Sequence, residues 1–416
     1  MTSEPNAKSL GRPFNILFAG SLSSNLADGI LKTAAPLLAI TLTRDAFLIG
    51  LLSAVVFLPW LLFAIPIGAV VDRVDRKHAL ASANAVRIAV AAFVAFAVSF
   101  DFMSFWLLLA CSLLIGIAEV AYDTSAQALM PQVLRDDQLE RGNSRLEVGA
   151  VTLGEFVGAP ISGLLFTAAI ALPFYLGTAG ILVALLLVLM IPGQYGPDPR
   201  LSTELETESP KSTVLGRFRH DIAEGIRYLF ESATLRGLVI LTTAVSLSFS
   251  FATATQVLFA VEIAGVPLAL FGFIAVFSGL GALIGSFLAP ILSKKLGRMR
   301  VMSFVLGSTG AVLVATGFVT EPVTFSLFAM LMGVAIAIWN VLLITTYQQL
   351  IPNEMFGRIH GARRTLVWGV IPIGAILGGL VAQVDLRLPL WIGGTLSFLI
   401  VVFGGWAFLK RIDSKS

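Results

Sequence analysis

The sequence predicts an all-α membrane protein: twelve transmembrane helices in two six-helix bundles related by an internal repeat. Three observations carry this prediction. Apolar stretches of the roughly 20 residues that a helix needs to cross a bilayer recur along the chain. Positive charge is concentrated in one alternating set of connections. Segments of the first half reappear in the second at a nearly constant offset.

The stretches are 14–42, 46–71, 78–100, 102–130, 143–168, 172–193, 235–262, 267–292, 300–318, 322–349, 357–383 and 387–410, spans 1 to 12 below. Of 28 Lys and Arg, all but Lys32, Arg44, Arg87 and Arg387 lie in or beside the N-terminal segment, the even-numbered connections, the central loop or the C-terminus. Positive residues stay on the cytoplasmic side. Both termini are therefore expected inside, and an even number of spans requires them to share a side.

Composition narrows the function classes. With 57% hydrophobic and 13% charged residues, the chain has no counterpart among soluble globular domains. Its net charge of +3 is spread over several short loops, with no basic stripe for nucleic acid. Cys111 is the only cysteine and lies mid-span, which excludes a disulfide scaffold and a thiolate metal site. His78, His220 and His360 sit in or beside separate loops, so no metal or other cofactor is expected. The first apolar stretch is too long for a cleavable signal and lacks a small-residue cleavage site.

Residues 194–234 form the long polar connection, dividing the chain into bundles at 1–193 and 235–416. Its first part is rich in Pro, Ser, Thr, Asp and Glu and reads as a flexible linker. Its second part alternates Leu215, Phe218, Ile222, Ile226 and Leu229 with charges, the pattern of an amphipathic helix along the inner membrane face. The repeat is seen in three places. Ser125-Ala-Gln-Ala-Leu-Met-Pro131 pairs with Thr346-Tyr-Gln-Gln-Leu-Ile-Pro352. Gly158-Ala-Pro-Ile-Ser-Gly-Leu164 pairs with Gly374-Ala-Ile-Leu-Gly-Gly-Leu380, and Arg73-Val-Asp-Arg76 with Lys295-Leu-Gly-Arg298. All three are about 220 residues apart, the mark of a duplicated unit. Two such bundles with a site between them at mid-membrane make an alternating-access transporter.

The connection after span 2 reads Gly68-Ala-Val-Val-Asp72-Arg73-Val-Asp75-Arg76-Lys77. It resembles the signature Gly-x-x-x-Asp-Arg-x-Gly-Arg-Arg/Lys of the major facilitator superfamily, and the resemblance in span number, central loop and repeat covers the whole chain. Asp75 stands where the family usually has Gly; Asp tolerates the left-handed turn that Gly supplies. The stretch from Ala118 to Pro131, Leu139-Glu-Arg-Gly-Asn143 and Gly158-Ala-Pro160 are similar to a bacterial branch of drug, macrolide and siderophore (enterobactin-type) exporters.

The resemblance implies a conformational latch. Gly68, Asp72, Arg73, Arg76 and Lys77 would hold the halves together on the inner side. Asp72 would sit at the start of span 11, where a helix N-terminus favours negative charge, and could also meet Arg358 or Arg363. The basic residues would meet acids such as Asp123. Alternatively, these are only topology charges.

Asn25, Asp28 and Lys32 share one face of span 1. An ionisable group at that depth is a functional hypothesis by default. Asp28 reads either as a proton or substrate site or as the partner of Lys32 in a static ion pair. Glu119 and Asp123, four residues apart, read as a charge network with Arg87 or the loop after span 2; Glu119 as a proton-coupling acid is the alternative. Glu155 is another embedded acid. Gly154, Gly158, Pro160 and Gly163 in span 5 are a degenerate form of the Gly-Pro-x-x-Gly-Gly element found in antiporters of the superfamily, suited to close packing and a kink. Gln256, Trp339 and Asn340 are candidates to line an aromatic and apolar cavity.

The expectation is therefore a monomeric exporter of a hydrophobic or cationic small molecule in a bacterial-type inner membrane, with no catalytic constellation. A proton gradient is its expected energy source, because no Walker-type phosphate loop is present. Lipid flipping and metabolite import by the same fold remain alternatives, and a receptor or scaffold that lost transport is a further one.

Overall fold

A computed structural model of the protein describes residues 10–71, 73–196, 224–351 and 353–413. Among them there is no β-strand, and each expected span is occupied by helix. Spans 1, 3, 4 and 6 are the helices Arg12–Leu42, Arg76–Ser99, Phe105–Val133 and Leu172–Leu189. Spans 9, 10 and 12 are Arg298–Thr316, Pro322–Leu350 and Leu388–Asp413.

The other spans are interrupted. Span 2 is Ala46–Leu62 and Ala64–Val71. Pro66 has no N–H to give the carbonyl of Leu62, so the regular ladder fails there. Span 5 runs as Asp136–Ala150, a π-helical segment Val151–Gly158, and Ala159–Ala168. Span 11 is Asn353–Gly369 and Ile371–Ala382. Pro160 and Pro372 sit just past these irregularities in repeat-related spans, and each removes one backbone bond. Span 7 breaks after Thr253 and continues as Gln256–Leu258 and a π-helical turn at Phe259–Ile263. Span 8 is a short 3-10 turn, Leu268–Leu270, followed by Phe273–Leu296. Span 5 starts at Asp136, ahead of its apolar stretch, because a helix continues past the membrane surface where hydropathy gives no signal.

Nine described helical stretches are long and apolar enough to cross a membrane; Arg12–Leu42, with 31 residues, is not among them. Its Ser23, Ser24, Asn25, Asp28 and Lys32 lower the hydropathy. All five bond inside the protein: Ser23 to the Gly180 carbonyl, Asn25 to Ser21, and Ser24, Asp28 and Lys32 to side chains of spans 3 and 4. The polarity that weakens span 1 as a membrane signal belongs to its internal face.

The duplication is visible in the packing. In the first bundle span 1 packs on spans 5 and 6, span 3 on spans 4 and 6, and span 2 on span 4. In the second, span 7 packs on spans 11 and 12, span 9 on spans 10 and 12, and span 8 on span 10. These are the same pairings displaced by six spans. Between bundles, span 2 packs on span 11 and span 5 on span 8, again repeat-related pairs.

Small residues set how closely the helices meet. A Cβ at Gly29 would lie 2.1 Å from the Gly154 carbonyl oxygen, and one at Gly158 would lie 2.7 Å from that of Leu26. Gly163 backs onto the Ala269 carbonyl across the bundle interface, with 2.7 Å for the same addition. Gly29, Gly158 and Gly163 thus act in packing, whereas a Cβ at Gly154 would come no nearer than 3.4 Å, to the Asn25 carbonyl oxygen.

In the central connection, residues 224–231 are helical. Leu229 is fully buried in the apolar core of the second bundle, with Ile226 and Tyr228 packed beside it. Leu215, Phe218 and Ile222 lie outside the described residues.

Candidate functional site: a charged cavity between the bundles

A cavity of about 440 Å³ lies between the bundles, walled by spans 1, 2, 3, 4, 6, 7 and 11. Most of its wall is apolar, including Leu52, Val56, Phe57, Phe174 and Phe249. Asp28, Lys32 and Glu119 supply charge from the first bundle, while Ser246, Ser250, Thr253 and Gln256 supply neutral polar groups from the second. At the break in span 7 the Ser53 hydroxyl of span 2 donates to the Ala254 carbonyl at 2.9 Å.

The charges form two crossed ion pairs. Arg87, only 1% exposed, donates to the Asp28 carboxylate. It also donates to Ser24 at 2.9 Å and to Asn84 at 3.1 Å, and stacks 5.0 Å from the Tyr122 ring centroid. Lys32 reaches Glu119 at 2.5 Å. The Asp28–Lys32 pair open from sequence is thus replaced: four residues of helix align the two side chains, but each finds a better partner across the bundle. Asp123, one turn beyond Glu119, faces the same group of charges but makes no ion pair with a described residue.

Several sequence candidates lie elsewhere. Asn25 turns back to the Ser21 carbonyl at 2.7 Å. Glu155 lies in the π-helical segment of span 5, outside the cavity and beside Gly279 of span 8. Trp339 is buried in the core of the second bundle, and Asn340 is exposed on span 10. Neither lines the cavity. A tryptophan's apolar area is as well used in a core as in a ligand wall, and sequence does not distinguish the two.

The loop after span 2 is described in part. Asp72 lies outside the described residues, as does the side chain of Arg358. Arg76 is buried and binds the Gly196 carbonyl, and Lys77 binds that of Ile191 at 2.7 Å. Both therefore clamp the chain leaving span 6, and neither reaches Asp123. Arg73 is exposed, and Gly68 packs on Thr124 of span 4.

Asp75 is not left-handed: at φ −64° and ψ 122° it caps span 3. Its carboxylate accepts from the His78 N–H at 3.0 Å and the Tyr195 N–H at 2.7 Å. Burial pushes this carboxyl up, but the two amides outweigh burial and hold it below the usual carboxylate range. Arg363 stacks on Tyr347 at 5.3 Å within the second bundle.

Three features had no sequence signal as a group. Arg364 of span 11 lies 4.9 Å from the Trp60 ring and 3.9 Å from the Trp368 ring. Arg44 pairs with Glu262 at 2.6 Å, and the Gln383 amide donates to Asp45 at 3.0 Å. Each joins the first bundle to the second, so partners are separated by most of the chain.

A model of the Major Facilitator Superfamily matches residues 17–372. The chain is 21% identical over 401 residues to macrolide efflux protein A of Streptococcus pyogenes, with 94% of each covered. It is 24% identical over 382 residues to the multidrug efflux pump Tap of Mycolicibacterium fortuitum, with 88% of each covered. Among solved structures, a bacterial homologue of the iron transporter ferroportin in an inward-facing state superposes with a TM-score of 0.73 at 17% identity, covering 97% of this chain and 99% of that one. The nucleoside transporter NupG superposes with a TM-score of 0.68 at 15% identity, covering 96% and 100%. The crossed ion pairs, the cavity between repeat-related bundles and the family match over most of the chain lead to one conclusion: this multi-pass membrane protein belongs to the Major Facilitator Superfamily of transporters.

Proposed function

We propose that the protein exports a hydrophobic or cationic small molecule across a bacterial inner membrane by proton antiport, working as a monomer with both termini in the cytoplasm. The carrying observation is a largely apolar cavity whose wall holds one acid paired with an exposed cation and another paired with a buried one. Protonating Asp28 would leave Arg87 buried and unpaired, at a cost of several kcal/mol. Protonating Glu119 releases Lys32, whose side chain is 59% exposed, so that the freed charge is not enclosed as Arg87 would be. Glu119 is therefore the exchangeable acid, and Asp28 the anchor of the network. A proton on Glu119 and a substrate in the same cavity bias one conformational equilibrium, which couples them. The macrolide and multidrug efflux relatives support export over import.

The test is substrate-induced proton movement. Purified protein is placed in liposomes holding a pH dye, and lipophilic cations, macrolides, siderophores and lysolipids are added in turn. A compound should move protons in wild type and not in Glu119→Gln. Equal proton movement in the variant would remove Glu119 from the mechanism, and a compound that crosses without protons would favour lipid or facilitated transport.

A further inference from the structure

Trp60 and Trp368 come from opposite bundles and meet edge to face, with centroids 6.1 Å apart and planes at 83°. The Arg364 guanidinium lies against both rings. Trp60 follows the cavity-lining Val56 and Phe57 by one helical turn, and Trp368 precedes the cavity-lining Ile371 by one. The cluster thus borders the cavity at the level where spans 2 and 11 come together. No carboxylate among the described residues pairs with Arg364. Asp123 of span 4 acts on it as a countercharge, makes no ion pair with a described residue, and also interacts with Lys32, Arg87, Glu119 and Asp28.

A cation held by aromatic faces instead of by an acid is an unusual choice inside a membrane. Ring faces hold any suitably sized cation, with a preference that strengthens as water is removed. The arrangement is a cation site whose present occupant is tethered to the protein. We infer that the Trp60–Trp368 cleft binds the cationic group of a lipophilic cation, which displaces Arg364 towards Asp123. Displacement pairs with each other two ionic groups that have no ion-pair partner among the described residues, and leaves the rings to the ligand. Because the rings belong to different bundles, their occupant also reports whether the bundles are closed at this level. This inference rests on the reading of the cavity as a site for hydrophobic or cationic molecules, and it names the groups that recognise the charge.

The test is equilibrium dialysis of tetraphenylphosphonium against full-length protein in nanodiscs, with triphenylphosphine oxide as a neutral probe of similar shape. Arg364→Gln removes the tethered competitor and should bind the cation about three- to tenfold more tightly, with little change for the neutral probe. Arg364→Lys keeps a competing cation and should stay near wild type. Trp60→Leu and Trp368→Leu should weaken cation binding more than neutral binding, while Trp60→Phe should retain most of it, which controls for misfolding. Unchanged or weaker cation binding in Arg364→Gln overturns the inference. So does an equal loss of both probes in the Leu variants, or an absence of saturable cation binding in wild type and Arg364→Gln alike. Dialysis needs no proton gradient. A cation-selective result without substrate-induced proton movement would remove antiport and leave the site standing; proton movement with unaltered Arg364→Gln binding would do the reverse.

Discussion

Asp28 and Glu119 share one wall, and their partners decide what each can do. Asp28→Asn strands a buried guanidinium and should destabilise the protein by about 3 kcal/mol. Glu119→Gln leaves a lysine whose side chain is more than half exposed and should cost about 1 kcal/mol or less. Thermal unfolding in a single detergent would check the order, and a Glu119→Gln midpoint as low as that of Asp28→Asn would contradict it. The candidates Asp28, Lys32 and Glu119 were legible in the sequence because a charge in an apolar stretch has a large insertion cost and needs a reason. Their pairing was not legible. Spacing along span 1 aligned Asp28 with Lys32, but spans 3 and 4 brought Arg87 and Glu119 to them, and that depends on helix rotation.

Among the elements, the loop after span 2 makes the clearest case. Arg76, Lys77 and Asp75 bind the backbone at 191–196, contacts that its sequence did not mark, while the latch that it did mark turns on Asp72, outside the described residues. Because the folded Asp75 carboxyl titrates below its unfolded value of about 3.9, its contribution is fully present above that pH and is lost as pH falls through the lower folded value. Hydrogen exchange at the Tyr195 amide should therefore accelerate at the acid end of that window in wild type and be fast throughout in Asp75→Ala. Span 5 supplies a second element-scale expectation. Gly29→Val puts a branched side chain where the Gly154 carbonyl already prevents a single Cβ, so spans 1 and 5 must separate. A loss of folded yield far greater than for Gly68→Ala, where the neighbour is 4.0 Å away, is the expected outcome.

Across the whole molecule, the end opposite the basic loops is joined by Arg44–Glu262 and Asp45–Gln383, with Ser53–Ala254 joining the bundles further in, at the cavity wall. Taken singly, an exposed pair such as Arg44–Glu262 is worth about 1 kcal/mol or less, so Arg44→Ala should barely move the melting temperature. As a geometric link it matters more. Alternating access requires these contacts to open once per cycle, so a short bifunctional thiol reagent bridging Arg44→Cys and Glu262→Cys should stop turnover and reduction should restore it. The sole native cysteine, Cys111, is buried and gives little background. Continued turnover in the cross-linked protein would mean that this end does not open.

Span positions, the charge asymmetry and the duplication were determined by the sequence alone. Each follows from a local quantity: apolar length against bilayer thickness, Lys and Arg per connection, or similarity at a fixed offset. The tertiary structure decided which candidates share a site. It paired Asp28 with Arg87, placed Trp339 in a core, and assembled Trp60, Arg364 and Trp368 from spans about 300 residues apart, beyond any local periodicity. The physical reason is rotational. A lipid-solvated helix is apolar on nearly all sides, so its pattern does not say which face turns inward, and that is fixed only by the close contacts that its neighbours allow.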